Sequence, residues 1–190
     1  MTTVDAGWSL PSRGRVGMLS LIVAESAIFV IFAVAYLFYA GKSASGPTTA
    51  VLHAPVVLSI ALWSSSLTIQ RAVAALEHGE SRAFSSWWLA TLSLGAGFLA
   101  GTALEWRHLI VDEGLTIHTN LFGTTYFALV GLHAFHLIAG LLALGIVAAF
   151  DVLGHVRPEH AGRLEVLSLY WHFVDAVWVV VFLVVYVICR

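Results

Sequence analysis

The stretch SLYWHFVDAVWVVVFLVVY, residues 168–186, is apolar enough and long enough to cross a bilayer, yet it carries His172 and Asp175 in its first half. A spanning helix needs about 20 mostly apolar residues for a ~30 Å hydrocarbon core. At ~1.5 Å per residue, His172 then lies about 9 Å and Asp175 about 14 Å below the membrane surface. An acidic group at that depth costs roughly 3 kcal/mol when it inserts. Such a group is tolerated when it faces protein and not lipid. The stretch therefore predicts more than a single span: it predicts a bundle with a polar interior. Glu165, His172 and Asp175 share one face, within about 80° on a helical wheel. His172 and Asp175, three residues apart, are placed to interact or to share a partner. Asp175 can fix the tautomer of a histidine on its own or a facing helix. Trp171 and Trp178 flank the stripe and offer indole N–H donors. A closed hydrogen-bond network is the least costly way to bury these groups.

The rest of the chain agrees. Of its 190 residues, 59% are hydrophobic and 11% charged, with a net charge of −2. Soluble domains average about 25% charged residues. Nine Lys and Arg residues, scattered along the chain, form no stripe for phosphates, so no nucleic-acid partner is expected. The single cysteine, Cys189, excludes an internal disulfide and a thiolate cage. Five runs have spanning length: residues about 16–40, 52–74, 84–105, 121–150 and 164–189. The fourth exceeds the core thickness and should tilt or project. The expected fold is an all-α polytopic membrane protein, with a polar segment at 1–15 and one five-helix domain at 16–190. No cleavable signal peptide is expected, because residues 1–15 are polar and the first apolar run is long enough to span.

Basic residues set the expected orientation. Arg13, Arg15, Arg71, Arg82, Arg157 and Arg163 fall on one side, and Lys42, Arg107 and Arg190 on the other. That bias puts the N-terminus inside and the C-terminus outside. Trp87, Trp88 and Trp106 bracket the third span as interfacial anchors. Gly95, Gly97 and Gly101 between them would permit close helix packing.

The other polar groups in the spans are candidates for the same network. Glu25 lies about 14 Å deep, near mid-bilayer, on the face that carries Phe29, Phe32 and Tyr36. It is expected to hydrogen-bond another helix or to act in proton or lipid traffic. His133 and His136 are three apart in FALVGLHAFHLIAG, and read as a packed, hydrogen-bonded pair. A buried zinc or copper would want three or four ligands in defined geometry, and no spacing here compels that. His53, His78, His108, His118, His155 and His160 fall at span ends. Ser64, Ser65, Ser66 and Thr68 can bond helix carbonyls or reach across to neighbours. With no GxSxG elbow and no Gly-rich phosphate loop, neither a serine hydrolase nor an ATP-driven protein is expected. Glu105, beside Trp106 and Arg107, is expected in a salt bridge at the interface.

These segments, in this order, resemble subunit III of the haem–copper oxidases. AESAIFVIFAVAY resembles the segment with that family's buried carboxylate, placing it at Glu25. LSIALWSSSLTIQRA resembles the Ser/Thr-rich helix that follows, and LEW at 104–106 its Glu-aromatic pair, with Glu105 as the glutamate. GLHAFHLIAG is similar to the Gly-x-His-x-x-His-x-x-x-Gly helix, giving His133, His136 and Gly140. YWHFVDAVWVVVF matches most fully, over Tyr170, Trp171, His172, Phe173, Asp175 and Trp178. The resemblance covers residues 16–190 and is to the short, five-helix bacterial form. It implies an accessory subunit of a proton-pumping terminal oxidase in a bacterial plasma membrane, packed on subunit I, stabilising it and supporting proton uptake. Haem and copper would be held by partner subunits I and II, and the electron donor would bind elsewhere in the complex. This chain would bind no cofactor or metal, would have no catalytic residue, and would meet phospholipid on its Glu25 face. Glu25, Glu105, His133, His136, His172 and Asp175 are then the candidates for a buried polar network. Competing readings are the accessory subunit of a quinol oxidase or nitric oxide reductase, a stand-alone b-type cytochrome through the histidines, and a proton-coupled transporter through Glu25 and Asp175.

Overall fold

The computed structural model describes residues 12–42 and 46–189. Most of the expected polar segment, residues 1–11, lies outside the described residues, as does Arg190. The described chain is a bundle of five long helices: α1 (Arg13–Tyr39), α2 (Val56–Glu77), α3 (Ser81–Val111), α4 (Leu121–Val152) and α5 (Ala161–Phe182). A π-helical segment, Leu183–Ile188, continues α5. Short 3₁₀ turns precede α2 at Thr49–Val51 and α5 at Pro158–His160. All five helices are long and apolar enough to cross a membrane.

Two boundaries differ from those expected. The second span was expected from residue 52, but Pro55 lacks an N–H and the helix begins just after it, at Val56. The third continues through Trp106 to Val111, so α3 is about 46 Å long and projects beyond a ~30 Å core, as α4 does. The extension of α3 uses helix-compatible residues, Arg107 and His108 among them, that hydropathy alone discounts.

Successive helices run antiparallel. α2 and α3 form a hairpin closed by Gly79 at φ 76°, a backbone conformation that glycine adopts without strain. α5 packs against α1, α2 and α4, and α1 also packs against α4. α5 is the most buried of the five, which is why its two polar residues need partners. In α1 the face carrying Phe29, Ala33 and Tyr36 is buried, while Val23, Val30, Ile31 and Val34 point outward. Glu25 sits on the inward side, as its periodicity predicts.

Trp88 departs from the interfacial role expected of it. It is fully buried and donates its indole N–H to the Leu144 carbonyl of α4 at 3.0 Å. Trp87 remains half-buried, under the Arg71 guanidinium at 4.9 Å. Of the three glycines, Gly95 and Gly101 meet neighbouring side chains, but Gly97 faces open space. The six peripheral histidines are all at helix ends or in loops, and none is buried.

The start of α4 is fixed from both sides. Asn120 Oδ1 accepts the Gly123 amide at 2.8 Å, and its Nδ2 donates to the Pro47 carbonyl at 3.0 Å. The first bond caps the helix and the second ties down the α1–α2 loop. Asn120→Ala should cost about 1–2 kcal/mol, read as faster amide exchange at residues 121–124. Asn120→Asp should keep the cap and lose only the loop tether.

Candidate functional site

The buried polar groups lie in two clusters, not one. The division follows the helix packing: α2 meets α5, and α1 meets α4.

The first cluster is centred on Asp175 of α5. Ser66 of α2 donates a short hydrogen bond to Asp175 Oδ2, and Ser65 approaches the same oxygen at 3.4 Å. The Trp171 indole donates to Ser65 Oγ at 2.8 Å. His172 Nδ1 meets Ser66 Oγ at 3.0 Å, and its Nε2 meets the Gln70 amide nitrogen at 3.5 Å. The Ser66 hydroxyl has one hydrogen and gives it to Asp175, so it accepts from His172 Nδ1, and Nε2 is left to accept from Gln70. The donors then run in one direction: Gln70 to His172, His172 to Ser66, Ser66 to Asp175. His172 and Asp175 thus share a partner and do not touch directly. Glu165, expected on the same stripe, lies at the helix end and pairs with Arg15 at 3.6 Å, both about half exposed. Asp175 Oδ1 has no protein partner among the described residues.

The second cluster joins α1 to α4. Glu25 Oε2 lies 3.1 Å from His136 Nε2. His136 Nδ1 lies 2.8 Å from the Leu132 carbonyl, and a carbonyl can only accept. Nδ1 therefore carries a hydrogen, and the Nε2–Oε2 contact holds one proton between them. The pair is either a neutral acid and a neutral imidazole, or a carboxylate and an imidazolium. Both forms are neutral overall, which is why they can be buried side by side. Phe29 packs on the His136 ring, and the Tyr170 hydroxyl donates to the His136 carbonyl at 3.0 Å.

Two expectations fail. His133 and His136 are not a hydrogen-bonded pair. His136 turns to α1, while His133 stacks on Trp178 with ring centroids 4.9 Å apart and meets Phe98 edge-on. Neither His133 nitrogen has a protein partner among the described residues. Glu105 makes no ion pair with Arg107 among the described residues. Positions two apart on a helix point to opposite sides, and Arg107 is exposed while Glu105 Oε1 is buried without a partner.

The residues not anticipated are Ser59, Gln70 and Tyr170 in their donor and acceptor roles, and Ser65 and Ser66 as the specific partners of Asp175. Ser59 accepts from Trp178 Nε1 at 2.9 Å. The signal for all four α2 residues was the spacing of polar side chains along one face of an apolar helix. Which helix they would meet was not in that signal.

The three intramembrane imidazoles are turned to different helices: His133 to α3 and α5, His136 to α1 and His172 to α2. Among the described residues, no group of three or more His, Cys, Asp or Glu side chains is placed to hold a metal ion.

Fold and site together define a polytopic helical membrane protein whose polar chemistry binds helix to helix. The chain belongs to the cytochrome c oxidase subunit III family, whose model matches residues 10–190. It is similar to cytochrome c oxidase subunit 3 of Synechocystis sp., with 38% identity over 184 residues, covering 94% of this chain and 77% of that one. It is also similar to subunit 3 of Alkalihalophilus pseudofirmus, with 32% identity over 196 residues, 96% of this chain and 95% of that one. The subunit 3 of Thermostichus vulcanus is 29% identical over 191 residues, 98% of this chain and 93% of that one. The family comprises accessory subunits of haem–copper terminal oxidases in aerobic respiration, and the chain is a multi-pass protein of a bacterial plasma membrane.

Proposed function

We propose that the chain packs on subunit I of a proton-pumping haem–copper oxidase that also contains subunit II, stabilises subunit I during turnover and supports proton uptake. Haem and copper are held by those partners, and the electron donor binds elsewhere in the complex. The relatives carry the name of a cytochrome c oxidase, which favours that complex over a quinol oxidase or a nitric oxide reductase. Residues 16–190 act as one domain. The N-terminus lies inside and the C-terminus outside: Arg13, Arg15, Arg71, Arg82, Arg157 and Arg163 fall at one end of the bundle, with Lys42 and Arg107 at the other.

The observation that carries the proton-linked part is the Glu25–His136 pair. The contact, 3.1 Å between Glu25 Oε2 and His136 Nε2, lies near mid-membrane on the helix with the most outward-facing apolar surface. The Asp175 cluster, with its donors aligned on one carboxylate, is a structural clamp between α2 and α5. Beside the pair, a groove of about 200 Å³ lined by Ser26, Phe29, Val30, Leu129 and Val177 would take a phospholipid acyl chain.

Gentle extraction should bring the chain down with a haem-containing partner. A stable lone monomer in native membranes would end the proposal. Glu25→Gln keeps a hydrogen-bonding group for His136 but cannot pass on a proton. We expect unchanged assembly and haem content, with steady-state turnover in coupled vesicles severalfold lower. Equal turnover would reduce the pair to a clamp.

A further inference from the structure

The far end of the bundle, opposite the start of α1, holds a polar site that the Glu25 and Asp175 clusters do not use. A cavity of about 200 Å³ opens between α2, α3, α4 and the π-helical end of α5, lined by His53, Thr102, Glu105, Tyr126, Trp178 and Tyr186 among others. The chain supplies three acid or hydroxyl groups to it from three different helical segments. Each has hydrogen-bonding capacity to spare. Glu105 Oε1 is buried and has no protein partner among the described residues. The Tyr126 and Tyr186 hydroxyls, both rings buried, meet each other at 3.5 Å, and the Trp106 indole N–H, which has no other partner among the described residues, lies beside Tyr126. The Trp178 indole is already committed to Ser59, and Thr102 Oγ1 to its own helix at the Phe98 carbonyl. His53, exposed before the first turn of α2, stands at the mouth.

A buried carboxyl oxygen left without a partner forfeits the hydrogen bonds that water would give it. A single water needs two to four polar partners and about 30 Å³. The cavity has room for several waters, and its three polar groups can anchor a chain of waters that partner one another. Tyr186 belongs to the π-helical segment Leu183–Ile188 and lines the same cavity as Glu105. Isolated π turns are often found at functional sites.

We propose that this cavity is a water-binding site anchored by Glu105, in which a short chain of waters bridges its carboxyl to the Tyr126 and Tyr186 hydroxyls and reaches the aqueous phase past His53. The site keeps one carboxyl of the bundle in contact with water at the far end, remote from the Glu25–His136 pair. It does not depend on that pair having any role in proton uptake.

The test is pulsed radiolytic hydroxyl labelling of the whole complex in membranes, read residue by residue by mass spectrometry. Radicals form from water where it resides, and phenol and indole react with them at similar rates. Tyr126 is as buried as Trp88, which lies at the other end of the bundle with its N–H satisfied. With bound water, Tyr126 and Tyr186 should label about tenfold faster than Trp88. Thr102→Leu places an isobutyl group in the cavity and breaks no bond between helices, and Glu105→Leu removes the anchor. Each should bring Tyr126 down towards the Trp88 rate. Tyr126 and Tyr186 labelling as slowly as Trp88 in the wild type would overturn the proposal, whatever the variants do. So would fast labelling that neither substitution changes. If a substituted chain fails to enter the complex, the wild-type comparison alone decides.

Discussion

Asp175→Ala should lower the stability of the bundle by about 3 kcal/mol, one of the two largest effects expected from a single substitution in this chain. The carboxylate is the common acceptor at the end of two donor chains, Gln70–His172–Ser66 and Trp171–Ser65. Alanine removes that acceptor and leaves a small cavity between α2 and α5. Part of the loss is recoverable, because a helical serine can turn to a carbonyl of the preceding turn, as Ser64 does with Ala61 at 2.7 Å. His172 and Trp171 keep serine acceptors. The estimate therefore sits at the lower end of the 3–5 kcal/mol for breaking a buried ion pair outright. Asp175→Asn separates acceptance from charge. Its amide oxygen can still receive both serines, and its NH₂ would take the place of Oδ1, which has no protein partner among the described residues. Asparagine should cost less than half as much as alanine. The measurement is thermal dissociation of the purified complex, followed by retention of this chain. Equal losses for the two substitutions would show that the charge, and not the hydrogen-bond geometry, is what Asp175 contributes. A double-mutant cycle with Ser66→Ala should give a coupling of roughly 1–3 kcal/mol.

How much of this was legible beforehand depends on the range of the interaction. Helix number and the inward face of α1 follow from runs and periodicity within one segment, and both were readable from residues such as Phe29 and Tyr36. So was the need of Asp175 for a partner, because burying it in an apolar helix is costly. The identity of the partner was not readable. Ser66 lies more than a hundred residues away in sequence, and its role depends on α5 packing against α2. The same limit explains the two errors of grouping. His133 and His136 look like a pair along the sequence, but their side chains leave α4 towards different neighbours. Glu105 and Arg107 look like an ion pair, but sit on opposite sides of α3. Trp88 was misread for another reason. Its place near the start of a span fits an interfacial anchor, and only the crossing of α3 and α4 brings the Leu144 carbonyl to its indole. Gly97 belongs with these: its spacing matched that of Gly95 and Gly101, and the packing left it facing outward.

Valine at Gly95 or Gly140 should be as damaging as the loss of Asp175, while valine at Gly97 should not. The rigid neighbour common to both is one side chain, with Leu141 also 3.0 Å from a Cβ at Gly95. The Trp171 indole stands between α3 and α4 with a glycine on either side. A Cβ built at Gly95 would lie 2.7 Å from the ring, and one at Gly140 would lie 3.0 Å from it. Flexible groups yield to such contacts cheaply, but this one is a rigid plane tethered at Nε1 to Ser65. Moving it breaks that bond, and with it one of the two donor chains into Asp175. Overpacking of this kind costs about 1–3 kcal/mol and occasionally more, so each valine should fall at or above the top of that range. Alanine gives the sharper test because two terms oppose. In a helix interior it gains up to about 1 kcal/mol over glycine. At Gly97, which meets nothing within 4 Å, that gain is uncompensated, and Gly97→Ala should be neutral or stabilising. At Gly95 the contact outweighs it, and Gly95→Ala should lower the melting temperature of the complex. The sign itself, opposite at two glycines on one helix, is the readout. Trp171→Phe shortens the ring system and removes the tether, so it is destabilising alone. Combined with Gly95→Ala, however, it should cost less than the sum of the two. Strict additivity would mean that the indole is not what the glycines accommodate. The close approach of α3, α4 and α5 would then need a different cause.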